Sequence, residues 1–270
     1  MKSKFSARLA AGAGVAALAL ALMAPVAQAE TPAPGYGQFA GCPSYKTENP
    51  NITTCITSTI TGGNLHLGNK ETKITNPITL SGGLNEESEE FSFNSNGGLT
   101  KAKQKVEGGV IGLTGLTWLA EYLGSDALTL YATAELAGQV QVNNVEDIVL
   151  PLKVHLENST GVLGPSCYIG SNSDPINLHL VTGTSGKLTG KAPTYKFDPE
   201  TEIVKGSNGT FVDGTFTAPG ANGCTLNLFG FIPISLNGVI DLASGLPASS
   251  GNYTSQNYNI EIVESELVYP

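Results

Sequence analysis

The sequence predicts an all-β protein: an antiparallel sandwich or barrel-like domain with one or two short helices and two disulfides. Three observations carry that prediction. Short β-branched runs alternate apolar and polar residues at period two. Gly, Pro, Ser and Asn clusters interrupt them at roughly 8 to 12 residue intervals, the rhythm of a sandwich or barrel. All four cysteines, Cys42, Cys55, Cys167 and Cys224, lie beyond residue 29, in the part of the chain expected to be exported. With 40% hydrophobic and 14% charged residues in 270, the composition is that of a globular chain with ample material for a core.

Residues 1–29 read as a secretory signal peptide. Lys2, Lys4 and Arg8 form the basic n-region, Leu9 to Ala24 the apolar stretch, and Ala27-Gln28-Ala29 the small-x-small signal that sets cleavage before Glu30. The alternative is a retained anchor, for which the apolar run is short of the roughly 20 residues a span needs. No cysteine stands at the cleavage point to take a lipid. Beyond residue 29 there are 11 lysines, no arginine and 23 acidic residues, so the net charge there is 11 − 23 = −12. Such a surface does not suit nucleic acid, which basic patches and bidentate arginines grip. The protein is expected outside the cytoplasmic membrane, secreted or in the cell envelope, with no stable membrane insertion.

Residues 30–50, rich in Pro and Gly, read as an extended lead-in, and 51–270 as a single β-rich domain. Strands are expected at Ile52 to Ile60, Leu65 to Leu67, Ile74 to Leu80 and Phe91 to Phe93. The most regular stretch is Leu128 to Val142, with Leu128, Leu130, Ala132 and Ala134 on one side and Gly138 as a bulge. In Ile148 to Glu157, Leu150, Leu152, Val154 and Leu156 alternate with Pro151, Lys153, His155 and Glu157. Pro151 has no amide hydrogen, which predicts an edge or a bulge there. Further strands are expected at Cys167 to Ile169, Ile176 to Val181, Thr194 to Phe197 and Ile203 to Lys205. The last two are expected at Thr210 to Thr217 and Tyr258 to Val268. Helical spacing occurs at Leu116 to Leu123 and at Ile234 to Ala243, the latter ended by Ser244-Gly245.

Four cysteines allow three pairings. The spacing favours Cys42–Cys55, which closes a short loop around Pro43 and Pro50, and Cys167–Cys224, whose members each sit in a Gly/Ser/Pro-rich turn. A zinc site lacks its C-x-x-C and nearby histidines, and neither a metal nor a cofactor is expected. His66, His155 and His179 each sit between apolar neighbours in a strand and point away from them; they read as solvent-facing, with a cluster as the alternative. The acidic run at Glu86, Glu87, Glu89 and Glu90 lacks the spacing of a calcium loop and reads as a solvated turn. Tyr168, with Asn172 and Asp174 in the turn before Pro175, is the candidate sugar platform, against the simpler reading of an ordinary turn. Trp118 reads as a core residue.

No nucleophile elbow, H-E-x-x-H, P-loop or dinucleotide fingerprint occurs. Candidate carboxylates for glycoside hydrolysis are Glu121, Glu135, Glu157 and Asp213, whose separations the sequence leaves open. The apolar stretches Val110 to Leu123 and Leu226 to Ile240 admit a lipid contact, with burial in the core as the simpler account.

The stretches VHLENSTGVLGPSCYIGSNSDPINLHLVTG (Val154 to Gly183), FTAPGANGC (Phe216 to Cys224) and GLPASSGN (Gly245 to Asn252) resemble turn blocks of secreted, β-rich actinobacterial proteins of unknown function. The resemblance covers about the last 120 residues. It implies an exported bacterial protein, supports the Cys167–Cys224 pairing and brings no catalytic residue. The expected function is therefore non-enzymatic: surface or glycan binding, on cell-wall glycan or the envelope, or a structural role. A secreted polysaccharide hydrolase with paired carboxylates is the alternative, and a membrane-active β protein the third class.

Overall fold

A computed structural model describes residues 30–117, 128–228 and 232–270. The signal-peptide stretch, Trp118, Glu121 and most of the helix expected at Leu116 to Leu123 lie outside the described residues.

In chain order the elements begin with β1 (Thr54–Leu67), β2 (Lys70–Ile74), β3 (Ile78–Asn85), β4 (Glu90–Ser92), β5 (Gly98–Leu99), β6 (Gln104–Val106) and α1 (Gly109–Thr114). There follow β7 (Leu130–Leu136), β8 (Gln141–Asn144), β9 (Asp147–Asn158), β10 (Tyr168–Ile169), β11 (Ile176–Val181), β12 (Thr184–Ser185), β13 (Leu188–Thr189) and β14 (Thr194–Asp198). The chain ends with β15 (Ile203–Asp213), β16 (Ala221–Asn222), β17 (Thr225–Leu228), β18 (Ile232–Ser235), α2 (Asn237–Ser244), β19 (Tyr253–Glu264) and α3 (Ser265–Val268).

The main sheet runs β11, β15, β19, β1, β3, β4, β8, β9 with every pair antiparallel, and β9 pairs back onto β11, closing a barrel. Its broadest contacts are β1 with β19 and β15 with β19, each a long ladder carrying one bulge. Two joints are narrow: β11 meets β15 only at Val181↔Val212, and β4 meets β8 only at Glu90↔Gln141. At the first joint a buried carboxylate completes the pairing. Asp213 Oδ2 accepts from the His179 amide at 2.7 Å, and Oδ1 accepts from the Thr215 amide, the Thr215 hydroxyl and Ser185 Oγ. The carboxylate stands where a strand carbonyl would otherwise sit.

Pro151 lies inside the barrel wall, and the partner strand is what breaks. β9 pairs with β8 over 147–149 and with β7 over 152–158, and the β7–β8 connection bows out between them, as Gly138 predicted. The strands expected at Ile203 to Lys205 and Thr210 to Thr217 are one strand, β15, continuous through a bulge between Gly206 and Gly209. Likewise Tyr258 to Val268 divides: the strand ends at Glu264 and α3 follows, while the helix expected from Ile234 starts only at Asn237 because Ile232–Ser235 pairs with β17.

The wall is apolar inside and polar outside. Leu150, Leu152, Val154 and Leu156 are buried, whereas Lys153, His155 and Glu157 face outward, the reverse of a barrel that spans lipid. Among the described residues no helix is long and apolar enough to cross a membrane. Most described members of the two apolar stretches, such as Val110, Leu113, Leu226 and Ile240, are core residues; Ile234 is exposed.

Both disulfides form as the spacing favoured, Cys42–Cys55 and Cys167–Cys224, and the described chain has no free cysteine. The first staples the lead-in across one barrel end. There Phe39, Ile52, Ile203, Val263, Val268 and Tyr269 form a second small core. Gly83 makes this approach feasible, since a Cβ on it would lie 2.6 Å from Ile52 Cγ2 and 3.0 Å from Cys42 Sγ. The second disulfide anchors the start of α2 at the other end, where Cys224 accepts the Leu236 amide and donates its own amide to Asn237 Oδ1.

Candidate functional site

The same alternation that builds the wall builds a cavity. Leu150, Leu152, Val154 and Leu156 project inward from β9, and β7 answers Leu156 and Val154 with only Ala132 and Ala134. Small side chains opposite large ones leave the barrel underfilled, and a cavity of about 100 Å³ results. Its lining is almost wholly apolar, and the half-exposed Lys70 and Thr72 on β2 mark the side nearest solvent.

One end of this space is covered by α2. Ile240 and Ser244, four residues apart, share its inner face and are buried, while Leu242 is 87% exposed on the outer face. The helix ends on the β1–β2 turn: Asn69 donates its amide to the Ser244 carbonyl at 2.9 Å. Gly68, at φ +61°, permits that contact, because a Cβ there would lie 2.1 Å from the Ser244 carbonyl oxygen.

Three buried polar side chains belong to the cavity lining and differ in how they are satisfied. Gln104 is fully used: its Oε1 accepts from the Thr75 and Asn76 amides at 2.8 and 3.0 Å, and its Nε2 donates to the Asn76 carbonyl. It stitches the turn between β2 and β3 to β6. Gln256 is half used, with Nε2 donating to Thr254 Oγ1 at 3.0 Å while Oε1 has no partner. Its orientation is fixed, because the Thr254 hydroxyl already gives its hydrogen to the Asn64 carbonyl and can only accept from Gln256. Ser244 Oγ is likewise unpartnered. These atoms belong to residues 5% and 1% exposed, respectively.

No family model, curated protein or solved structure matches this chain.

The residues singled out from the sequence lie elsewhere, on the outer wall. Tyr168 on β10 stacks on His155 of β9, with ring centroids 4.7 Å apart, and Lys153 Nζ sits 4.7 Å from the tyrosine ring centre. The Tyr168 hydroxyl donates to Glu135 at 3.4 Å, and Glu135 also pairs with Lys101 at 3.1 Å. Burial first, and then the Glu135 carboxylate, raise the Tyr168 phenol above its ordinary pKa. Asn172 and Asp174 are exposed in the following turn, whose internal bonds include Ser171 amide to Asp174 carbonyl and Asp174 amide to Ser171 Oγ.

The three histidines occupy separate places. His66 stacks on Tyr253 at 4.6 Å, His155 on Tyr168, and His179 bonds Asp147 at 2.8 Å. On β9, His179 pairs with Val149, six residues from His155 and so about 20 Å along the strand. Among the described residues no group of His, Cys, Asp and Glu is arranged to hold a metal ion.

Of the carboxylates, Glu157 pairs with Lys103 at 2.7 Å and Glu135 with Lys101. Glu135 faces Lys153 in the ladder, four residues or about 13 Å from Glu157, wider than the roughly 5 to 9.5 Å that glycoside hydrolysis uses. Asp213 is enclosed by its four donors.

The sequence places Leu150, Leu152, Val154 and Leu156 on one face of their strand and Ala132 and Ala134 on one face of theirs, but it gives neither the cavity between them nor the two buried polar residues beside it, Gln256 and Ser244. Gln256 had a readable signal: it shares the inward parity of Thr254, Tyr258 and Ile260 in β19, a polar amide on an apolar face. Ser244 read as a helix terminator, and only the docking of α2 buries its hydroxyl.

Proposed function

We propose that the protein is exported and acts as a binding protein, holding a small apolar molecule inside its barrel. The carrying observation is the cavity itself, an underfilled apolar interior between Ala132 and Ala134 on one side and the β1 and β19 walls on the other, capped by a helix. Underfilling costs stability, and an occupant recovers the lost contacts. The signal-peptide pattern and the two disulfides support export. Xenon tests the binding, since dry apolar cavities of this order take it up. Under xenon pressure, methyl NMR of the 30–270 chain should show saturable shifts at Ala132, Ala134 and Leu152. Uniform, unsaturable drift would sink the reading.

A second reading places a glycan on the outer wall, favoured by the Tyr168 ring set among Glu135, Lys153 and His155. Co-sedimentation with purified cell walls and insoluble polysaccharides tests it. Salt-resistant retention, lost in Tyr168→Ala, would support it, and no retention on any glycan would dismiss it.

A further inference from the structure

We infer that the interior site takes a short-chain carboxylate, its tail in the cavity and its anionic head at the mouth, beside Lys70. The inference rests on the proposed interior binding and adds the chemistry of the ligand. The mouth lies on the β1–β2 hairpin. Lys70, Thr72 and Ile74 alternate along β2 and all belong to the lining, while Glu71 and Lys73 between them are exposed on the outer face. Along the inner face exposure falls from Lys70 and Thr72, both half-exposed, to the buried Ile74. Leu67 and Leu65, the β1 partners of Lys70 and Thr72, are half-exposed members of the lining too. This face therefore passes from an ammonium through a hydroxyl to hydrocarbon, an order of groups that an anionic amphiphile matches end to end.

Lys70 has its charge to offer. Among the described residues it is in no ion pair, whereas Lys73, on the outer face of the same strand, is held by Glu107 at 3.0 Å. Its neighbour Glu71 also stands outside, where it accepts from the Tyr253 hydroxyl. The flexible stem of a lysine lies along apolar surface and leaves its ammonium in water, where it can turn to meet a head group. Deeper in, a charged head has no partner. The Gln104 amide is committed to the turn between β2 and β3, and Gln256 Oε1 and Ser244 Oγ are enclosed by their own surroundings, with essentially no accessible surface. The rest of the lining is apolar. A charge carried inside would lose its water without a counter-charge, so the head stays at the mouth. Size limits the tail. A cavity of about 100 Å³ is smaller than the ~150 Å³ engineered cavity that accepts benzene, so the tail is about five carbons long.

The test compares hexanoate, 1-hexanol and hexylammonium, which differ in the head, by methyl NMR titration of the 30–270 chain at neutral pH. Salt at about 0.15 M screens the distant carboxylates of this acidic chain. Hexanoate should shift the cavity methyls saturably and bind about tenfold or more tighter than hexylammonium. In Lys70→Gln the hexanoate affinity should fall about threefold to tenfold, with a smaller change for hexanol. In Lys70→Glu the order of the two ions should reverse. Lys70 is half-exposed, so neither variant disturbs the core. Hexylammonium binding level with hexanoate would overturn the head-group inference and leave interior binding standing. So would an unchanged order in Lys70→Glu, equal losses for hexanoate and hexanol in Lys70→Gln, or xenon uptake without hexanoate binding. Failure of all three probes together with xenon would overturn both.

Discussion

The two ends of the barrel are closed by opposite strategies. At the end where β1 begins, the lead-in is stapled by Cys42–Cys55 and packed with Phe39, Val268 and Tyr269. Two of its buried hydroxyls find carbonyl partners: the Tyr269 hydroxyl donates to the Cys42 carbonyl at 2.7 Å, and Ser265 Oγ to the Ile52 carbonyl at 2.8 Å. At the end where β1 finishes, α2 lies over a cavity, and Ser244 and Gln256 keep unmatched polar atoms. One end is packed around a small core, while the other keeps a cavity beneath its helix.

The largest expected effect comes from the covalent anchor of the α2 end. Replacing Cys167 and Cys224 together by alanine frees a 57-residue link, and the loop-entropy model puts the loss at about 4 kcal/mol, against about 3 kcal/mol for the 13-residue Cys42–Cys55 link. Denaturant unfolding measures both, and only the first pair should also abolish xenon binding. Next, Phe39→Ala should cost about 3 to 4 kcal/mol, since Phe39 is wholly buried in the small core. Leu246→Ala, beside the existing cavity, should cost distinctly less; equal losses would break the contrast.

Tyr269→Phe should cost about 1 kcal/mol, because the Cys42 carbonyl keeps the Asn94 amide as a second donor. It should also change the alkaline limit. Burial pushes the Tyr269 phenol up to about 12, so its contribution is intact below the ordinary value near 10 and is lost as pH rises from there through about 12. The phenylalanine variant should therefore show a shallower loss of stability over that window in pH-jump unfolding. The smallest effect is a gain. Ala134→Val should add about 0.5 to 1 kcal/mol by filling space while weakening xenon uptake.

Much of this contrast was legible in the residue pattern. The inward faces of β9 and β7 followed from period-two alternation, and the disulfides from loop spacing. What escaped was set by tertiary context. Pro151 predicted an interruption correctly, but only the β9–β11 pairing shows that the interruption falls inside the wall. Ile234 had helical spacing with Ala243, yet Ile232–Ser235 became strand because Thr225–Leu228 was available as a partner. Gln104 and Gln256 are the same residue in similar strands, and only their neighbours leave one fully paired and the other half-paired.

The narrow joints have a consequence for motion. Val181↔Val212 and Glu90↔Gln141 divide the barrel into two shells, one built on β15, β19, β1 and β3 and the other on β8, β9 and β11. Each disulfide lies to one side of both joints, so neither disulfide spans them. The shells are joined like the valves of a bivalve, with the Asp213 carboxylate as the adductor on one margin. Amides flanking these margins should exchange with solvent sooner than those in the β1–β19 ladder.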